Sequence, residues 1–193
     1  MTDLDETTAP ARILRVGRKP NPWAWPRWEI AGEDGTFGNR WDDAGSTYRV
    51  LYGSSQLEAC FVETLARFRP DPHVLAELAR IEGPEAALAP GLLPRSWLAG
   101  RVVGEGTVPG RFCRVGTAVS LTHLHRALAA TLVRHGIAEL DGAAIRGDRY
   151  RNWAIFERPA GRPVIRNPST KPIDPTRREF RAALRLLGLR LGA

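Results

Sequence analysis

The chain has 193 residues, 43% of them hydrophobic and 25% charged, which suits one globular core and would be cramped for two. No apolar run approaches the roughly 20 residues needed to cross a bilayer, and the acidic start with Asp3, Asp5 and Glu6 has no leader character, so a cytoplasmic protein is expected. The formal charge of +7 invites a nucleic-acid surface, but the arginines are scattered along the chain, and direct nucleic-acid binding is not expected.

Arg12 to Val16 alternates arginine with Ile13, Leu14 and Val16, the pattern of a short strand. Lys19 to Gly38 then reads as a long surface loop, punctuated by Pro20, Pro22, Pro26 and the turn-forming Glu33-Asp34-Gly35. Tyr48 to Tyr52 is a second β-rich run, and Gly53-Ser54-Ser55 closes it as a turn. Ser55-Gln56-Leu57-Glu58 matches a capping box, and Leu57, Phe61, Leu65 and Phe68 recur at helical spacing until Pro70. His73 to Leu88 is a helix or a set of surface turns. Trp97 to Val103 and Arg111 to Val115 read as strands, Thr122 to His135 as a helix ended by Gly136, and Trp153 to Glu157 and Val164 to Arg166 as strands again. Asp174-Pro175 supplies an N-cap and first-turn proline for a last helix with Phe180, Leu184 and Leu187 facing the core.

Strands and helices are interleaved without regular strand-helix alternation, so the expected class is α+β with a mixed or antiparallel β core and flanking helices. Residues 1–11 are expected to be a flexible N-terminus, 12–172 the main domain, and 173–193 a helical extension packed on it. Cys60 and Cys113 cannot make a disulfide framework, and both sit among apolar neighbours, as small buried thiols do. His123 and His125 are two residues apart, which on a helix points them in different directions, and no cluster completes a metal site.

Four polar side chains stand near predicted strand ends and on the first helix: Arg15, Arg40, Tyr52 and Glu63. Arg40 follows Gly38, where the backbone can turn sharply, and two guanidinium forks suit a pyrophosphate or ribose edge. Tyr52 can stack on a flat ring or hydrogen-bond to one. Glu63 precedes Arg67 by four residues, so its plain alternative is an exposed ion pair on one helix face. Arg177, Arg178, Arg181 and Arg185 on the last helix are likewise either a solvated face or the contact surface of a basic binding module.

The run Gly38-Asn39-Arg40-Trp41-Asp42, then Tyr52-Gly53-Ser54-Ser55, then the helix bearing Glu63 resembles the RES domain, and Ile13-Leu14-Arg15-Val16 resembles that family's first strand. Asp141-Gly142 through Phe156 is similar to its closing segment. Asn39 and Asp42 replace the second glycine and the asparagine of the family's turn, and the family's closing serine falls on Gly147; Ser120 and Ser46 are the hydroxyls that would have to stand in for it. The resemblance implies a fold like that of ADP-ribosyltransferase toxins and an NAD+-degrading enzyme, acting by phosphorolysis or hydrolysis or by transfer to a protein, as the toxin of a toxin-antitoxin pair. It implies Glu63 and Arg40 as catalytic and Arg15 and Tyr52 as substrate-binding residues. NAD+ is then substrate rather than cofactor, inorganic phosphate a candidate co-substrate, and no metal is required. A helix-turn-helix antitoxin is the implied protein partner, and the sequence leaves a homo-oligomer open. With Gly147 at the serine position, a member that binds NAD+ without cleaving it is the alternative within the family.

Overall fold

A computed structural model describes residues 6–8, 11–39, 41–43, 45–82, 91–115, 151–157 and 164–192. Arg40, Ser120, His123, His125, the helix read over 122–135, Gly147 and the closing segment from Asp141 up to position 150 lie outside the described residues.

The centre is a five-stranded antiparallel sheet in which β2 (Ile13–Arg18) lies between β3 (Val50–Ser54) and β5 (Arg101–Thr107), with β7 (Asn152–Phe156) and β8 (Arg166–Pro172) at the edges. β2 pairs with β5 along its whole length, from Ile13↔Gly106 to Arg18↔Arg101. Its other side is different, for β2 meets β3 only at Leu14↔Ser54, whereas β3 pairs with β7 at every residue. Two small sheets flank this one: β1 (Glu6–Thr8) antiparallel to β6 (Arg111–Cys113), and β4 (Gly91–Leu93) parallel to β9 (Leu189–Leu191). With α1 (Leu57–Leu65), α2 (Pro72–Glu82), α3 (Arg95–Ala99) and α4 (Arg178–Leu186) the architecture is α+β, as the unalternating order of elements predicts.

The period-two alternation of the strands divides the apolar residues between two faces. Leu14, Val16 and Val103 meet Leu57, Phe61 and Leu65 of α1 and Phe180 and Leu184 of α4. The Phe61 and Phe180 rings cross edge to face at 5.1 Å, and both are essentially fully buried, which stabilises the fold by roughly 1.5–3 kcal/mol each. On the opposite face Ile13, Leu51 and Ile155 pack under Trp23, Val108 and Val164. The Pro22-Trp23 segment lies so close to this face that a Cβ at Gly17 would stand 2.5 Å from Pro22 Cα, and one at Gly104 would stand 2.7 Å from Pro22 Cγ. Those glycines are what let the loop lie against the sheet.

Several local expectations change. The capping box does not form: α1 starts at Leu57 with Gln56 at the N-cap and no side-chain cap bond, because the Ser55 hydroxyl accepts the Trp153 indole N–H at 2.8 Å instead. The strand expected from Trp97 begins at Arg101, and Trp97 sits on α3 with its ring buried. The last helix begins at Arg178 rather than directly after Asp174, whose carboxylate accepts the Thr176 N–H at 2.8 Å in a turn ahead of it. Cys60 is buried as expected, while Cys113 on β6 is only half-buried. No described helix is long and apolar enough to cross a membrane.

Candidate functional site

β3 places Tyr52 out of phase with Leu51, and therefore on the face that α1 covers. Its half-buried phenol oxygen accepts the Trp41 N–H at 3.2 Å, tying the turn over residues 37–42 to the sheet. That turn is built by Asp42, whose Oδ2 accepts the N–H of Phe37 at 2.7 Å and of Asn39 at 2.8 Å. Gly38 takes a φ of 76°, the left-handed conformation a side chain would strain. Arg40 itself lies outside the described residues, but its neighbours Asn39 and Trp41 are both held, one by Asp42 and the other by Tyr52. Burial raises the Tyr52 phenol above its ordinary value; the Trp41 N–H opposes this, and the Asp42 and Glu63 carboxylates add to it. The phenol is therefore neutral at physiological pH and keeps a proton to donate.

Arg15 is in phase with Ile13 and points to the other face. Its Nε donates to the Pro22 carbonyl at 2.8 Å and its Nη1 to the Tyr52 carbonyl at 2.5 Å. Beyond Leu14↔Ser54 the two strands no longer pair, and the guanidinium bridges the opening. Burial pulls the Arg15 guanidinium down to about 10, partly offset by Cys60, so it remains a cation at neutral pH. Arg15 thus reaches the backbone of Tyr52 while the Tyr52 side chain leaves from the opposite face.

Glu63 stands exposed on α1, close enough to Tyr52 and to Cys60 for its charge to raise both. The ion pair with Arg67 that the four-residue spacing allows does not form. The direction of α1 is set at its start. Ser54 Oγ donates to the Arg151 carbonyl at 2.7 Å and accepts the Gln56 N–H at 3.2 Å, while Gln56 Oε1 accepts the Arg151 N–H at 3.1 Å. One turn along, the Cys60 thiol donates to the Leu14 carbonyl at 3.1 Å, and burial pushes it up to about 12, so it is a packing group rather than a nucleophile. Ser46 is held in the loop by its bond to the Gly35 carbonyl at 3.2 Å.

The structure therefore brings Tyr52 and Glu63 to the α1 face of the sheet, with Trp41 fastened to Tyr52, and leaves the Arg15 guanidinium on the opposite face at the opening between β2 and β3. Two further residues belong to this arrangement and were not singled out by sequence: Asp42, which shapes the turn, and Ser54, which aims α1. The resemblance marked Asp42 only as a replacement for asparagine; its two acceptor bonds are the local signal, since an Asp three residues after an Asn and five after a Phe can close such a turn. A carboxylate with no ion-pair partner among the described residues can stabilise a developing positive charge, a neutral phenol can donate a hydrogen bond, and a buried guanidinium can attract an anionic ligand.

The family model of the RES domain matches residues 10–174 of the chain. No curated protein and no solved structure shows a significant match to it.

Proposed function

The chain belongs to the RES-domain family, and from that premise we propose that it degrades NAD+ at the bond between nicotinamide and ribose, as the toxin half of a toxin-antitoxin pair on a fold similar to that of ADP-ribosyltransferase toxins. The observation that carries this reading is Glu63: an exposed carboxylate with no ion-pair partner among the described residues, whose charge reaches the Tyr52 phenol.

Nicotinamide leaves as a neutral molecule with the electron pair of the C–N bond, and positive charge develops on the ribose. Glu63 stabilises that oxocarbenium character and orients the attacking oxygen. Phosphate attacks with an oxygen already ionised and forms an ADP-ribose phosphate ester; water must lose a proton, which Glu63 can accept. Tyr52 donates a hydrogen bond to the nicotinamide side. Arg40 and Arg15 hold the pyrophosphate, Arg15 through Nη2, which has no partner among the described residues.

Purified protein should consume NAD+ and release nicotinamide, and Glu63→Ala and Arg40→Ala, folded by circular dichroism, should each lose at least about 99% of that rate, the scale of removing one group that acts on developing charge. Release that depends on added inorganic phosphate identifies phosphorolysis; release without it identifies hydrolysis. Folded wild-type protein that binds NAD+ and releases nothing would overturn the degrading enzyme in favour of a non-cleaving binder.

A further inference from the structure

Arg18 and Arg101 are direct partners at the end of the β2–β5 ladder. Arg18 is in phase with Leu14 and Val16, and Arg101 with Val103, so both arginines leave the sheet on the face covered by α1. Arg67 enters from the 3-10 turn Ala66–Phe68 that directly follows α1. Like charges directly opposite on a ladder destabilise it, and here a third joins them. Burial, then the charges of Arg67 and Arg18, pull the Arg101 guanidinium below its ordinary value.

Some cations of the chain are paired, Arg12 and Lys171 with Glu105, Arg49 with Glu157, Arg80 with Glu77 and Arg177 with Glu179. Arg18, Arg67 and Arg101 have no carboxylate partner among the described residues. Two of the three are nevertheless held in place by aromatic rings, the Arg101 guanidinium 5.1 Å from the Trp97 centroid and that of Arg67 4.8 Å from Phe68. Planar forks fixed on rings lose little freedom when they bind a tetrahedral oxyanion.

We propose that Arg18, Arg67 and Arg101 form a binding site for a phosphate group, supplied as inorganic phosphate or as a phosphoryl group of a nucleotide, one helical turn from Glu63. Bound phosphate relieves the mutual repulsion of the three cations and accepts their N–H groups in charge-assisted bonds. Its service to NAD+ cleavage rests on the function proposed above; the binding of phosphate does not.

Calorimetric titration of the full chain with inorganic phosphate, at constant ionic strength set by chloride, tests the site. Saturable binding is expected, weakened about tenfold by Arg18→Gln or by Arg67→Gln, the loss of one charge-assisted partner, and unchanged in Arg80→Gln, with Arg18→Lys falling between. Titration with ADP-ribose in the presence of phosphate separates the sources. Competition assigns the site to a nucleotide phosphoryl group, and simultaneous binding assigns it to inorganic phosphate. Absence of saturable binding of either anion, or equal affinity in wild type and both Gln variants, would overturn the proposal, even in a protein that turns over NAD+. Phosphate binding lost in the variants of a chain that never cleaves NAD+ would keep the site and remove the proposed chemistry.

Discussion

On the face of the central sheet that the Pro22-Trp23 loop covers, arginines end on protein acceptors: Arg15 on the Pro22 and Tyr52 carbonyls, and Arg49 on both Glu157 oxygens and the Pro26 carbonyl. On the face beneath α1, Arg18 and Arg101 end on none among the described residues. The charge is the same and the surroundings are opposite. Burial and Glu157 make Arg49 a fastening for the loop, with Trp28 stacked 5.6 Å from its guanidinium, whereas Arg18 and Arg101 face each other with no carboxylate partner among the described residues, Arg101 resting on the Trp97 ring. Arg49 spends all three guanidinium nitrogens on the fold, Arg15 keeps only Nη2 free of a partner among the described residues, and Arg18 and Arg101 have no hydrogen-bond acceptor among them.

Arg49→Ala should break this contrast most strongly. The pair is less than a quarter exposed on either side, so removing one partner strands a charge and should destabilise the protein by about 3 kcal/mol, at the low end for a buried pair. Chemical denaturation measures it; a loss below about 1 kcal/mol would make the clasp a surface contact. The pH dependence has a fixed sign. The Arg49 hydrogen bond holds the Glu157 carboxyl below its ordinary value of 4.5, so its contribution is complete above that pH and is lost as pH falls through the lower folded value. The stability of Glu157→Gln should therefore fall less steeply than that of wild type below pH 4.5.

Gly104→Ala tests the covering of the same face. Its new Cβ would stand 2.7 Å from Pro22 Cγ and 2.8 Å from Trp23 Nε1, in a segment whose carbonyl also holds Arg15. Overpacking of this kind costs about 2 kcal/mol. A shift in tryptophan fluorescence together with a lower denaturation midpoint is the expected outcome, and wild-type values for both would show that the loop moves aside without cost.

These two faces differ in how far sequence reveals them. Alternation exposes β2 and β3, and the spacing of Leu57, Phe61 and Leu65 exposes α1, because each buries a regular apolar stripe. β8 carries no such stripe: Arg166–Pro172 is exposed throughout and exists because β5 offers it an edge, so only Val164 to Arg166 read as strand. α3 is five residues long and is decided by burial of Trp97, which local propensity does not contain. The Arg49–Glu157 clasp joins positions 108 residues apart, beyond any local pattern. Glu63, Tyr52 and Arg15 became candidates only through family resemblance, while spacing alone favoured a Glu63–Arg67 pair that the fold does not make.

Arg18→Gln should have the smallest effect on stability and the most informative sign. If Arg18 were a fastening like Arg49, its loss would lower the denaturation midpoint. Facing Arg101 across the ladder, it should instead leave the phosphate-free protein unchanged or more stable by about 0.5 kcal/mol, the scale of a relieved cross-strand repulsion. The gain should shrink as salt is raised, because screening already weakens the repulsion in wild type. A clear loss of stability in low salt would mean that Arg18 has a structural acceptor after all, and the contrast between Arg49 and Arg18 would no longer separate a fastening arginine from one open to a ligand.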